Sequence, residues 1–258
     1  MNSDDPQPAA PVTPADFDAL YRGDFSALRR ARQQEAGGEQ PPPFQLECIP
    51  WDIGEAQPVV RRLEADGQIA SEVLDIGCGL GENAMFLADR GYKVCGLDAA
   101  PAAIELAGER ARERGLEQAV DFAVADATDL SDYADRFTTI VDSALYHCFP
   151  EEQRPGYVAS LFRAGRPGAL LHVGCFSDKV PEALPGPYRI SEDNLRDTLT
   201  GAGWVVRRLE PITYTTAMTR SDLEGQDYGP LAAVAAELSY DSRDRLLAPA
   251  WLATAEHP

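Results

Sequence analysis

The sequence predicts an α/β fold: a seven-stranded, mostly parallel, doubly wound sheet with an N-terminal helical lid. Three observations carry that expectation. From residue 73 onward, short and nearly all-apolar runs alternate with helix-length stretches, the pattern of parallel strands covered on both faces. The helical stretches begin and end on residues that start and stop helices, among them Pro101, Gly91 and Gly115. The turn after the first strand holds Gly77, Gly79 and Gly81, at the sheet edge where open α/β folds bind ligands.

Taken in order, residues 1–14 are acidic, Pro-rich and poor in apolar groups, so they are expected to form a disordered tail. ADFDALYRGDFSALRRARQQ (15–34) spaces its apolar residues as one or two short helices. AGGEQPPP is a linker, and FQLECIPWDIGEAQP (44–58) is irregular but rich in large apolar groups. Residues 15–60 are therefore expected to form the lid and 61–258 the main domain, opened by the helix VVRRLEADGQI. VLDI, YKVCGLD, AVDFAVA, FTTIVDSA and ALLHVGCF read as five strands. ENAMFLADRG and PAAIELAGERARERG read as helices between the first three. In EEQRPGYVASLFRAG, Pro155 removes a donor, so that helix should start late or break. Ser191 is placed to cap EDNLRDTLTGAG. WVVRRLEPITYTT and PAWLATAEH complete the strands, and the long connection 217–248 between them suits an antiparallel edge pair. No internal repeat is evident.

Composition narrows the function. A formal net charge of -19 repels phosphate backbones and anionic lipid heads, so neither nucleic acid nor membrane is an expected partner. The cysteines Cys48, Cys78, Cys95, Cys148 and Cys175 contain no C-x-x-C pair, so no metal site and no disulfide framework is expected. No apolar run reaches membrane-spanning length. The chain reads as soluble and cytoplasmic with reduced thiols, a monomer or a homodimer, acting on a small molecule.

The glycine turn then decides between ligands. A dinucleotide fingerprint needs G-x-G-x-x-G, but Gly81 arrives one residue early and Glu82 stands in the expected place. Asp75 and Glu82 would bracket a diphosphate with negative charge at a helix start that should attract it. A ligand without phosphate and with a cationic end removes the conflict. S-adenosylmethionine has an ammonium and a sulfonium, which Asp75 can favour directly or through water. Asp98, with Ala99 beside it, ends the second strand, where a carboxylate can accept from ribose hydroxyls. Asp126 ends the third, placed to accept from the adenine amino group while the Ala127 amide meets a ring nitrogen.

The motif VLDIGCGLGENA, which includes Asn83, resembles the class I S-adenosylmethionine-dependent methyltransferases, with GLDAAPAAIELA and VADATDL in support; the resemblance covers about 73–210. PWDIGEAQP upstream is similar to the thiopurine, halide and thiol methyltransferase branch and to actinobacterial enzymes that methylate heterocyclic hydroxyl groups. The resemblance implies that Trp51 lies against the donor, in keeping with cation–π attraction between an indole and a sulfonium.

Methyl transfer needs an aligned nucleophile, exclusion of water and, for some acceptors, removal of a proton. The fourth strand should end beside the donor, with the backbone at Asp142 or Ser143 accepting from the ammonium. Tyr146 and His147 follow and are expected to face the methyl group; His147 is either a general base or a residue that shapes the pocket. Tyr21, Phe44, Phe149, Phe176, Tyr188 and Arg189 are candidates to wall the acceptor pocket. His172 reads as a satisfied core histidine. The expected acceptor is a hydroxyl or N-hydroxyl of an aromatic or heterocyclic metabolite. A thiol, thiopurine or halide acceptor is the alternative, and a donor-binding protein without catalysis is a third reading. A nicotinamide-linked oxidoreductase is opposed by Asp75 and the displaced glycine.

Overall fold

The computed structural model describes residues 13–26, 48–184, 186–224 and 234–258. Seven long strands are present where the sequence places them: β1 (Val73–Ile76), β2 (Val94–Asp98), β3 (Val120–Val124), β4 (Phe137–Ser143), β5 (Gly165–Phe176), β6 (Val205–Thr219) and β8 (Arg245–Glu256). A two-residue strand, β7 (Ser239–Tyr240), pairs with β8 and makes the sheet eight-stranded, in the order β3-β2-β1-β4-β5-β8-β6. β1 to β5 run parallel, and β8 is antiparallel to both β5 and β6. The expected antiparallel pair is present, but β8 is inserted between β5 and β6 instead of lying at the edge. The chain leaves β1 toward β2 on one side and takes β4 on the other. The carboxyl ends of β1 and β4 therefore flank the crevice where the strand order reverses.

Helices α2 (Pro58–Ala65), α3 (Glu82–Asp89), α4 (Pro101–Glu113), α5 (Arg154–Ala164) and α6 (Glu192–Gly201) fill the two faces. Proline in the first turn opens α2, α4 and α5, where its missing N–H is no loss; Pro155 thus starts α5 late and does not break it. Ser191 accepts from the Asn194 amide at 3.2 Å and caps α6 as expected. One face packs Leu74, Leu97, Tyr157, Leu161 and Trp204 into the larger core. The other packs Val60, Val73, Met85 and Leu87. A third, smaller cluster joins Val180, Met218, Leu223 and Leu246, bringing α7 (Arg220–Glu224) and the segment after β5 together beyond the sheet edge. Among the described residues, no helix is long and apolar enough to cross a membrane.

The N-terminal segment is docked on the carboxyl edge of the sheet. Helix α1 (Pro14–Tyr21) starts one residue inside the expected tail, with Thr13 and Asp16 forming a reciprocal capping box. Asp18 accepts the Ala102 amide at 2.7 Å, capping α4 from outside because Ala100 at its start has no side chain to do so. That bond holds the Asp18 carboxyl below the usual carboxylate range.

Candidate active site

Between β1 and α3 the chain turns three times through left-handed glycines, Gly77, Gly79 and Gly81, with φ of 68°, 52° and 80°. At Gly79 a Cβ would lie 2.9 Å from the Tyr21 hydroxyl; at Gly81 it would lie 2.5 Å from the Phe122 ring. The loop is thus pressed between the N-terminal helix above and β3 below, and only glycine fits both the conformation and the space. Tyr21 accepts the Trp51 indole N–H at 2.9 Å, and Phe17 meets the same indole edge-on at 5.6 Å. The sequence motif containing Trp51 and the glycine motif are therefore in direct contact.

The acids expected at the strand ends fall into different environments. Asp98 accepts the Gly79 amide at 2.9 Å and the Ala100 amide at 2.9 Å, so it shapes the glycine loop and the start of α4 at once. Burial pushes its carboxyl up, with the Ala100 and Gly79 amides pulling the other way. Asp126 is exposed and accepts the Thr128 amide at 2.8 Å and the Thr128 hydroxyl at 2.7 Å, which fixes an Asx turn. The neighbouring Ala127 carbonyl takes the Ser160 hydroxyl, and Ala99 is exposed beside Asp98. Asp75 is buried with Oδ2 unpartnered. Its carboxyl is pushed up to about 7 by burial, against the Ala84 amide and with the nearby charges of Asp98 and Asp142.

Glu82 does not leave negative charge facing the loop. Arg110 pairs with it at 2.9 Å and Arg114 at 2.7 Å, while Arg110 also clamps Asp52 at 2.8 Å. The repulsion of a diphosphate expected from Glu82 is answered by these arginines, and Asp75 alone keeps that role. The bridges also fasten the Trp51 segment to α3 and α4. The sequence hides this network because its members are 28 to 58 residues apart.

A narrow cavity of about 40 Å³ opens between these parts, lined by Trp51, Gln57, Gly77, Asn83, Ser143 and Tyr214, among others. The Asn83 side-chain oxygen accepts the Gln57 amide at 2.9 Å, leaving its amide hydrogens as the group it offers. Ser143 Oγ and Gln57 Oε1 are buried without partners, like Asp75 Oδ2. The Tyr214 hydroxyl approaches Ser143 without hydrogen-bond geometry. Three oxygens are thus orphaned, on Asp75 of β1, Ser143 of β4 and Gln57 of the covering segment, and the last two residues line this cavity. Orphaned acceptors of this kind cost about 1–3 kcal/mol each unless a donor meets them. An ammonium, which brings three N–H donors and a positive charge, fits that demand. A phosphate, which brings only acceptors, does not.

The turn after β4 departs from expectation. Ala144 adopts φ of 79°, unusual for a residue with a side chain. Asp142 holds this turn by accepting the Leu145 amide at 2.8 Å, the Tyr146 amide at 3.0 Å and the Tyr157 hydroxyl at 2.8 Å. Burial raises its carboxyl to about 6. Tyr146, expected at the methyl group, is instead fully buried in the larger core with its hydroxyl on Asn194 at 3.0 Å. His147 is buried, and its Nδ1 accepts the Phe176 amide at 2.8 Å. Burial and the Arg154 charge push its pKa down to about 3. An imidazole so engaged has no basic nitrogen for a substrate proton, which favours its shaping role over general base catalysis. His172, bonded to Thr254 at 3.0 Å and the Gln68 carbonyl at 3.1 Å, is a satisfied core residue.

Of the proposed pocket walls, Tyr21 reaches the glycine loop, and Phe176 lies between His147 at 4.6 Å and Tyr214 at 5.8 Å. Phe149 stacks on Tyr157 at 4.4 Å, against the larger core. Tyr188 lies under the Arg154 guanidinium. Arg189 is committed to the carbonyls of Val180, Pro181 and Leu184 at 2.9, 2.7 and 2.6 Å and so ties a loop. Phe44 lies outside the described residues. Gln57, Arg110 and Tyr214 were not singled out by sequence reasoning, although Gln57 stands within the quoted PWDIGEAQP motif. Among the described residues, no group of three or more His, Cys, Asp or Glu could hold a metal.

Residues 73–168 match the family described as Methyltransferase domain. The 2-heptyl-1-hydroxyquinolin-4(1H)-one methyltransferase of Mycobacteroides abscessus is 44% identical over 196 residues, 76% of this chain and 78% of that protein. The chain is a class I S-adenosylmethionine-dependent methyltransferase. The methyltransferase is also 33% identical, with a TM-score of 0.71 over 93% of its length and 91% of the other chain, to a solved structure named for the conversion of a disulfide bond into a thioacetal group during echinomycin biosynthesis. Erythromycin 3''-O-methyltransferase of Saccharopolyspora erythraea is 32% identical over 120 residues, 45% of the methyltransferase and 37% of that protein. Membership identifies S-adenosylmethionine as the methyl donor, and the glycine loop, Asp75 and Asp98 stand where the fold binds ligands.

Proposed function

We propose that this methyltransferase acts at a hydroxyl or N-hydroxyl group of an aromatic or heterocyclic metabolite, in the cytoplasm, as a monomer or homodimer. The observation that carries this reading is the 44% identity, across most of both chains, with an enzyme named for a 1-hydroxyquinolin-4-one. The site is compatible with it. Bound S-adenosylmethionine supplies a methyl group already activated by its sulfonium. The chain's own residues then hold the donor's cationic tail at Asp75 and Ser143, cover the loop with Tyr21 and Trp51, and keep water out. An N-hydroxy heterocycle ionises easily, so a neutral, engaged His147 is no obstacle and no metal is called for. Asp98 is read as the ribose acceptor through its remaining lone pairs, and Asp126 with Ala127 as the adenine edge. Residues 15–60 are read as the lid, because Asp18, Tyr21 and Asp52 fasten this segment to the edge it covers.

One observation favours a second reading. The 33% identity to a protein of sulfur chemistry keeps a thiol, thiopurine or halide acceptor in view. A panel of 1-hydroxyquinolin-4-ones, phenols, thiols and iodide, each with the donor, separates the two by release of S-adenosylhomocysteine and the mass of the methylated product. Turnover confined to thiols or halide would overturn the hydroxyl reading.

A further inference from the structure

Gln57 combines three features that no packing role explains together. Its backbone N–H donates to Asn83 Oδ1 at 2.9 Å, pinning the residue to the start of α3. Its side-chain Nε2 donates to the Thr215 carbonyl in β6 at 3.0 Å. Because a carbonyl can only accept, this bond fixes which end of the amide is which. The opposite end, Oε1, is then turned away from β6, buried, and without a partner, in a residue that is 4% exposed and lines the cavity. Ser143 Oγ, likewise orphaned, lines the same cavity. Asp75 Oδ2, the third orphan, is buried in β1 two residues before Gly77 of that lining. A residue kept only to bridge α3 and β6 would carry no stranded acceptor, since the stranded oxygen is itself destabilising.

We propose that the side-chain carbonyl of Gln57 is a ligand for the donor's α-ammonium, so that the covering segment forms one wall of the amino-acid socket together with Asp75 and Ser143. The assignment rests on the donor reading above and adds to it a specificity-determining residue: the protein senses the free amino group through a segment outside the sheet. Each of the three oxygens would take one ammonium hydrogen, which matches the number of donors available.

The test compares S-adenosylhomocysteine with its deamino analogue, in which hydrogen replaces the ammonium, by isothermal titration of the full chain. Wild type should prefer the natural compound. Gln57→Met, which removes both the oxygen and the N–H, should narrow that preference about ten-fold, the scale of one hydrogen bond to a charged group. Gln57→Glu restores an acceptor, now charged, while still lacking the donor to Thr215, and should widen the preference. A bridging role alone predicts the reverse: both variants lose affinity equally for both compounds and leave their ratio unchanged. That result overturns the assignment while leaving the donor reading intact. Should Gln57→Met fail to fold, Gln57→Glu decides alone, a widened preference supporting the assignment and an unchanged or lost one overturning it. Wild type binding neither compound would overturn the donor reading and this assignment together.

Discussion

The Trp51 indole donates to the Tyr21 hydroxyl at 2.9 Å, joining residues thirty positions apart directly above Gly79. A side chain at Gly79 would begin 2.9 Å from that hydroxyl and would have to adopt φ of +52°. Gly79→Ala should therefore lower stability by about 1–2 kcal/mol through backbone strain and displace Tyr21 as well. Tyr21→Phe removes the obstructing oxygen. In a double-mutant cycle read by thermal unfolding, the Gly79→Ala/Tyr21→Phe pair should be less destabilised than the sum of the single changes. Strict additivity would mean that the helix does not rest on the loop.

Docking of the same helix depends on Asp18 at the Ala102 amide. Asp18→Ala should loosen α1 and speed tryptic cleavage at the exposed Arg22, and S-adenosylhomocysteine should slow that cleavage again. Equal cleavage rates for wild type and variant would show that the cap does not hold the segment down.

His147 stays neutral across any ordinary assay range, since its pKa is pushed down to about 3. His147→Asn, whose oxygen can still accept the Phe176 amide, should leave the shape of the kcat profile against pH unchanged. His147→Leu strands that amide and should cost about 1–3 kcal/mol of stability. Because the folded pKa lies below the unfolded value of about 6.5, the histidine's contribution to stability is present above pH 6.5 and lost as pH falls toward 3. Melting temperatures of His147→Asn should therefore fall less steeply on the acid side than those of wild type. An acid limb of kcat that vanishes in His147→Asn would restore the general base.

Asp75 gives donor binding a pH dependence. Its carboxyl, raised to about 7 by burial and by the neighbouring charges of Asp98 and Asp142, holds a proton at lower pH in the donor-free protein. The ionised form is the one that meets a cation, so binding should release a proton. Affinity should rise with pH toward about 7, by at most about one order of magnitude per unit, and level above it. Calorimetry in buffers of different ionisation heat measures the proton directly. Asp75→Asn should abolish its release and weaken binding.

Much of the fold was legible because it is written locally. VLDI, VCGLD and the other apolar runs end where helices with Pro101 or Ser191 at their starts begin, and all seven long strands followed. The two-residue β7 and five-residue α7 are too short to show a period, and the position of β8 between β5 and β6 depends on pairing across the sheet, which no local pattern records. The glycine loop and Asp75 were readable from conformation and charge. Tyr146, His147 and Arg189 are hard to place from the sequence for one shared reason: their neighbours in the chain lie near the site, but their side chains are claimed by Asn194, Phe176 and the 180–184 carbonyls. Gln57, Arg110 and Tyr214 acquire roles only through partners far away in sequence.

The central claim is that orphaned oxygens at the β1 and β4 termini await a cationic amino-acid tail and not a diphosphate. Titrating the full chain by calorimetry with S-adenosylhomocysteine and, separately, with a nicotinamide dinucleotide tests it most directly. Saturable one-site binding of the first, weakened in Asp75→Asn, with no heat from the second, is the predicted result. Tight binding of the dinucleotide with none of S-adenosylhomocysteine would contradict the account at its root.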